Sequence, residues 1–140
     1  MVLGLDRVGQ ACFQLLEEAS KSPTTSAERV DELLASLAHI YGRNFWKALE
    51  IVDQGLVACL QGEQSGRQIF QVQGKTAADK YLVFPAHFCS CQAFFYEVVN
   101  KGEAVCCKHQ LAARVSWSLQ RCPVLVVSDV QLAQFLINAS

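Results

Sequence analysis

Residues 87–91 read His-Phe-Cys-Ser-Cys, and residues 106–109 read Cys-Cys-Lys-His. Together these two stretches contain a Cys-x-Cys pair, fifteen intervening residues and a Cys-x-His pair. The side chains concerned are those of Cys89, Cys91, Cys107 and His109. Thiolate sulfur and imidazole nitrogen are donors that Zn²⁺ takes readily, and three cysteines with one histidine fill its tetrahedral shell. The pattern therefore predicts one structural zinc ion with no open position for water or substrate.

The spacing within each pair also predicts the local backbone. Residues i and i+2 of an extended segment point to the same side, so Cys89 and Cys91 can reach one ion from a strand or from just after it. On a regular helix the same two residues would lie about 200° apart. The same reasoning places Cys107 and His109 in a turn that enters a helix.

The other cysteines and histidines leave one alternative open. Cys106 adjoins Cys107 and competes with it as the third sulfur ligand. His87 would share a strand face with Cys89 and is interpreted as a neighbour of the site, whereas His39 is interpreted as part of an amphipathic helix. The cysteines outside the pattern are expected to pack as small apolar residues, as free cysteines usually do. They are Cys12, Cys59, Cys106 and Cys122.

Composition bounds the kind of protein. The chain has 140 residues, a net charge of −1, 51% apolar residues and 18% charged residues. Since a charged fraction of about 25% is usual, we expect a partner to cover part of the apolar surface. The charge gives no general attraction to nucleic acid, and no apolar run approaches the roughly 18 residues of a membrane span. The N-terminus also lacks a signal pattern, and seven cysteines, an odd number, indicate a reducing compartment, the cytosol or the nucleus.

Hydrophobic periodicity divides the chain into helices, then strands, then helices again. The predicted helices cover residues 5–20, 25–41, 44–54, 93–100, 108–120 and 128–137. Thr25 with Glu28 and Ser128 with Gln131 have the spacing of capping boxes, and Asn44 is a further candidate cap. Short β-type runs at 56–60, 67–73 and 80–84 predict a three-stranded antiparallel meander that leads into Cys89.

The two ligand pairs resemble those of the SWIM-type zinc-finger family. Further matching residues are Phe94, Gly102, Leu111 and Ala112, while Gln92 stands where members often have a proline. The whole chain is similar to the SWIM subunits of Shu-type recombination complexes. The stretches that carry this wider resemblance are residues 48–53, 66–67, 70–72, 87–91, 107–109 and 127–129. The expected fold is therefore α+β: N-terminal helices (1–54), a SWIM zinc-finger module (55–122) with the small three-stranded antiparallel sheet and a ββα-like finger, and a C-terminal helix (123–140).

The resemblance implies a non-enzymatic subunit. Such a subunit forms a heterodimer with a RecA-like ATPase paralogue. The pair supports assembly of a RecA-family recombinase on single-stranded DNA during homologous recombination, in the repair of DNA damage and in meiosis. It also implies a nuclear protein, with DNA contacted through the complex.

Three other functions are alternatives to this one. A nucleic-acid-binding module would use basic residues near the second ligand pair, with aromatic residues to stack on bases. The basic candidates are Lys101, Lys108, Arg114 and Arg121, and the aromatic ones are Phe88, Phe94, Phe95 and Tyr96, for which packing in the core is the simpler interpretation. A ubiquitin-ligase adaptor is disfavoured because nothing resembles a cullin-binding element. An enzyme with Cys106 as nucleophile near His87 has no supporting motif.

Overall fold

The computed structural model describes residues 2–84, 88–91 and 106–139, with side chains from residue 7 to residue 138 within those ranges. The helices are α1 (Val2–Lys21), α2 (Ala27–Tyr41), α3 (Arg43–Asp53), α4 (Lys108–Ser118) and α5 (Asp129–Ala139). The strands are β1 (Val57–Gly62), β2 (Gln68–Gln73), β3 (Lys80–Phe84), β4 (Phe88–Cys89) and β5 (Val124–Val127). The predicted α+β class is confirmed. The helix predicted over 93–100 lies outside the described residues.

The strands form one mixed sheet in the order β4-β3-β2-β1-β5. Strands β1 to β4 pair antiparallel in sequence order, as a meander does, whereas β5 pairs parallel with β1. The prediction of a three-stranded antiparallel sheet is therefore wrong, because the sheet has five strands and one parallel pair. Its three predicted strands are present as β1, β2 and β3.

Strand β5 was missed because its partner is distant in the sequence. Cys59 is aligned with Val124 and Gly62 with Val127, so about half the chain separates the paired residues. Two parallel strands are joined by a long crossover, so the sequence next to the strand contains no turn motif that indicates the pairing. The segment from residue 123 was therefore assigned to the C-terminal helix alone.

The N-cap of helix α2 lies one residue later than predicted. Ser26 has an extended backbone and is the N-cap, and its hydroxyl accepts a hydrogen bond of 3.2 Å from the N–H of Arg29. The predicted capping box from Thr25 to Glu28 is therefore wrong. The backbone N–H of Thr25 instead bonds to the carbonyl of Ser22, which closes the turn after α1.

The junction between α2 and α3 depends on a glycine. Gly42 has φ of 70°, a conformation that glycine adopts without a steric penalty, and its N–H bonds to the carbonyl of Ala38. Gly42 is also the N-cap of α3, so the prediction that Asn44 caps this helix is wrong. The side chain of Asn44 donates instead to the carbonyl of Cys106, at 3.2 Å.

The capping box of α5 is confirmed. The N–H of Gln131 donates to the hydroxyl of Ser128, and the N–H of Ser128 donates to the side-chain oxygen of Gln131, both at 3.1 Å. Beside it, the carboxylate of Asp129 accepts hydrogen bonds from the hydroxyl and N–H of Ser65 and from the N–H of Gln64. The hydroxyl of Ser65 is the main cause of the lowered pKa of Asp129. These contacts fasten the start of α5 to the β1–β2 turn.

The sheet has an apolar cluster on each face. Period-2 alternation sends Val57, Val72 and Val83 to one face, where they pack with helices α1 to α4. The same alternation sends Leu60, Ile69 and Leu82 to the other face, where they pack with Leu132 of α5. The predicted helical region and zinc-finger module thus share one core. Within the described part of the chain, no helix is long and apolar enough to cross a membrane.

Candidate metal centre

The structure brings four donor atoms of the predicted pattern together on the face of the sheet that packs against helices α1 to α4. These donors, which we call the Cys₃His cluster, belong to Cys89, Cys91, Cys107 and His109. All four residues are buried, and their ligand atoms all lie within 4.8 Å of one another. Such an arrangement can hold one metal ion.

One sulfur–nitrogen contact within the cluster fits tetrahedral zinc. The Sγ atom of Cys89 and the Nδ1 atom of His109 are 3.7 Å apart. With Zn–S near 2.3 Å and Zn–N near 2.1 Å, a sulfur and a nitrogen in a tetrahedral shell are about 3.6 Å apart. The nitrogen of His109 that faces the sulfur is therefore Nδ1, a choice that the sequence does not reveal.

The first ligand pair is positioned by the edge of the sheet. Cys89 ends β4 and is aligned with Val83 of β3, and Cys91 follows two residues later. Between them, the N–H of Ser90 donates to the carbonyl of Leu82 at 3.1 Å, and the hydroxyl of Ser90 accepts from the N–H of Leu82 at 3.0 Å. This pairing extends the ladder past β4, so the two cysteines keep the strand-like spacing that directs them to one side.

The second ligand pair is positioned by the start of α4. Cys107 is the N-cap of this helix, and its backbone N–H donates to the side-chain oxygen of Gln110 at 2.9 Å. In return, the N–H of Gln110 donates to the Sγ of Cys107 at 3.5 Å. This is a capping box in which a cluster sulfur takes the place of the usual serine or threonine hydroxyl. Backbone N–H donors and the positive end of the helix dipole both favour a thiolate there.

The electrostatics of the three sulfurs also suit a cation. Hydrogen bonding to Cys107 and Cys91, together with burial, raises the pKa of Cys89. The contact with Cys89 lowers the pKa of Cys107, but Cys91 and burial outweigh it and raise that pKa to about 12. Burial and crowding thus favour the protonated thiols of Cys89 and Cys107 when no cation is bound. A divalent cation reverses this preference, because it supplies the positive charge that several neighbouring thiolates need.

The sequence pattern did not connect three nearby side chains with the cluster. The ring of Tyr81 stacks on the imidazole of His109, with centroids 4.4 Å apart and planes at 27°. Gln110 completes the capping box, and Asn44 ties α3 to the residue before Cys107. Gln110 had a readable signal, since glutamine three residues after a cap is typical of a capping box. Tyr81 and Asn44 had none, because their roles depend on strand register and helix packing.

The structure also places the alternative ligands. Cys106 is buried beside the cluster, but its sulfur is not one of the four converging donors. His39 is exposed on α2, and His87 lies outside the described residues. Of the other cysteines, Cys59 is buried and Cys12 and Cys122 are half-buried. Burial and the neighbouring thiol of Cys122 raise the pKa of Cys59 to about 11, as for a thiol packed as an apolar residue.

Three of the four basic candidates for nucleic-acid contact lie in the described part of the chain. Arg121 forms an ion pair with Asp53 at 3.3 Å, and the guanidinium of Arg114 lies 4.4 Å above the ring of Phe13. Lys108 is half-buried in the first turn of α4. Phe88 is 39% exposed. The remaining basic and aromatic candidates, Lys101, Phe94, Phe95 and Tyr96, lie outside the described residues.

Comparison with known proteins gives a consistent result. The chain is similar to Zinc finger SWIM domain-containing protein 7 of Mus musculus, at 37% identity over 125 residues, covering 89% of this chain and 82% of the relative. It is 35% identical to the Homo sapiens protein of that name over 124 residues, covering 89% and 88% of the two chains. The Danio rerio protein is 33% identical over 123 residues, covering 88% and 87%. No family model and no solved structure matches the chain. With this identity over most of both lengths and a Cys₃His cluster in place, the chain belongs to the family of Zinc finger SWIM domain-containing protein 7.

Proposed function

We propose that this protein is a non-enzymatic zinc-binding subunit of a Shu-type complex. In that role it pairs with a RecA-like ATPase paralogue and promotes assembly of a RecA-family recombinase on single-stranded DNA during homologous recombination in the nucleus. The observation that carries the proposal is the Cys₃His cluster in a chain of this family. The name of the family supports zinc as the ion, and the resemblance to Shu-type subunits supports the role in recombination.

A structural role for the ion follows from the donor set. Four protein donors complete a tetrahedral shell, so the ion has no open coordination position at which to activate water or substrate. Zinc binding of this kind supplies on the order of 10–16 kcal/mol of apparent free energy. That exceeds or matches the whole stability of a typical domain, about 5–15 kcal/mol. We therefore expect the ion to hold β4 against α4, and with them the shared core, rather than to take part in a reaction.

A partner-dependent role is supported by the surface. Large apolar side chains are exposed on β5 and α5, among them Val126 at 63% and Val130 at 67%. Two of the candidate DNA-contacting residues, Arg121 and Arg114, already interact within the chain, which supports DNA contact through the complex over contact by this chain alone. Direct binding would give a clear salt dependence, since each phosphate contact adds about −0.7 to the slope of log K against log salt for a single strand.

Metal analysis combined with affinity capture tests the proposal. We expect the wild type to hold one zinc ion per chain and to capture the co-expressed ATPase paralogue. His109→Ala removes one of the four donors and should lose both properties. His39→Ala is the matched control, since His39 is exposed on α2, and it should keep both. A cooperatively folded wild type without stoichiometric metal would overturn the zinc site, and a zinc-loaded wild type that captures no paralogue would overturn the partnership.

The ligand register has its own test. Cys107→Ser should release zinc, because Cys107 supplies a converging sulfur, whereas Cys106→Ser should retain it. The reverse result, measured as bound zinc per chain, would show that Cys106 is the third sulfur ligand.

A further inference from the structure

Strand β5 has an open edge with regularly spaced backbone groups. Among the strands of the described residues it is a terminal strand, with β1 on one side only. The carbonyl of Pro123 accepts from the N–H of Cys59 at 2.9 Å, and the carbonyl of Val127 accepts from the N–H of Glu63 at 2.8 Å. Because successive residues of a strand present their backbone groups to opposite sides, the N–H and C=O groups of Val124 and Val126 point away from β1.

Both faces of this edge strand are apolar and exposed. The side chains of Val124, Leu125 and Val126 are 44%, 50% and 63% exposed. Natural proteins usually protect such edges with charged residues, proline or a bulge. Residues 122–138 contain a single charged side chain, that of Asp129, and its carboxylate is bonded to the β1–β2 turn. Pro123 precedes the strand and β5 is only four residues long, but within the described residues 124–127 the edge has no charged side chain of its own.

We propose that the open edge of β5 receives an extended, uncharged, apolar strand of the partner protein, which becomes the sixth strand of the sheet. This inference rests on the proposed function for the identity of the partner, the RecA-like ATPase paralogue. The outward N–H and C=O groups recur at every second residue, and another strand is the element that can form hydrogen bonds with all of them.

The chemistry of the incoming strand follows from the faces of β5. Apolar side chains stand on both faces, so the partner strand must present apolar residues at successive positions. A charged residue in the partner strand would lose its hydration without gaining an opposite charge, because the only charged side chain of residues 122–138, that of Asp129, is already bonded to the β1–β2 turn. Val130 of α5, 67% exposed, extends the apolar surface beyond the strand.

The sharpest test removes one outward N–H without touching the β1 ladder. Val126→Pro deletes the amide that points to the partner, and proline is tolerated on edge strands when its missing N–H faces solvent. Val126→Ile is the matched control, because it keeps the amide and the apolar surface. Affinity for the purified ATPase paralogue is measured by titration, with bound zinc and thermal unfolding as checks of folding. We expect Val126→Pro to bind at least about tenfold more weakly, and Val126→Ile within about threefold of the wild type.

A second variant tests the inference if Val126→Pro fails to fold. Val126→Lys changes an exposed side chain, so the fold should be retained, and its buried unpaired charge should weaken binding by at least about tenfold. A folded Val126→Pro or Val126→Lys that binds like the wild type would overturn the inference and leave the partnership intact. Absence of any binding by the wild type would overturn the partnership itself. A wild-type homodimer that Val126→Pro disrupts would show a second copy at the edge and would also overturn the inference.

Discussion

Gln110→Ala tests how the start of α4 prepares the metal site. The side chain of Gln110 is 2% exposed, and its oxygen accepts the backbone N–H of Cys107 at 2.9 Å. The substitution leaves that buried N–H without a partner and removes the contact that holds a cluster cysteine at the helix start. It changes none of the four donor atoms.

Two effects set the expected magnitude. An unsatisfied buried donor costs about 1–3 kcal/mol, and the lost buried methylene adds about 0.8 kcal/mol. Gln110→Ala should therefore lower the free energy of unfolding by about 2–4 kcal/mol. Loss of a group that orients a ligand typically weakens metal affinity by about 10–100-fold, and we expect a decrease in that range.

The protein provides its own control for this experiment. Gln131 makes the same capping-box contact at the start of α5, with the N–H of Ser128 at 3.1 Å, but it is exposed and distant from the cluster. Gln131→Ala should cost about 1 kcal/mol or less and leave metal affinity unchanged. Zinc affinity is measured by competition with a chromophoric chelator, and stability by denaturant unfolding of the zinc-loaded protein. Equal zinc affinity in the two variants would refute the idea that Gln110 positions Cys107.

Three further predictions concern separate features of the molecule. Tyr81→Leu removes the ring that stacks on His109 and should weaken zinc affinity about tenfold in the same chelator assay, whereas Tyr81→Phe, which keeps the ring, should bind like the wild type. Phe45→Ala leaves a cavity at a fully buried site and should lower the free energy of unfolding by about 3–5 kcal/mol. Trp46→Ala, at a 58% exposed site, should lower it by about 1 kcal/mol or less. Similar decreases in the free energy of unfolding for the two variants would contradict the assigned core. The pKa of Asp129 is lowered in the native protein, so the contribution of its carboxylate to stability is present above the unfolded pKa of about 3.9 and is lost as the pH falls through the native pKa. Asp129→Asn should remove this acid dependence from unfolding curves measured across that pH range. An unchanged pH profile would count against the Asp129 contacts.

The elements that the sequence pattern located correctly are those specified by residues close to one another in the sequence. The meander strands β1 to β3 follow from short β-type runs separated by turn-rich links, and the capping box of Ser128 and Gln131 lies within one helical turn. The cap of α2 was placed one residue early because Thr25 and Ser26 have similar chemistry. The choice between them depends on the turn that precedes the helix.

The features that were missed depend on contacts between distant segments. Strand β5 pairs with β1, which is far away in the sequence. Gly42 is the cap of α3, and the side chain of Asn44 bonds instead to Cys106 in another part of the chain. The stacking of Tyr81 on His109 likewise needs β3 to lie against α4. Local propensity carries no information about such pairs, since their residues meet only when the core assembles.

For the candidate metal centre, the amino-acid sequence alone limited the donor set to three cysteines and one histidine, because their identity and spacing restrict which ions and which local backbone can serve. It left Cys106 and Cys107 as alternatives for the third sulfur, and the structure brings Cys107 to the cluster. Tertiary structure alone decided how those donors are held: Nδ1 of His109 turned towards the sulfur of Cys89, Cys107 capping α4, and Tyr81 against the imidazole. It also decided that β5 lies at an exposed edge of the sheet. The physical reason is that ligand chemistry belongs to single side chains, whereas orientation and exposure result from packing many segments into one core.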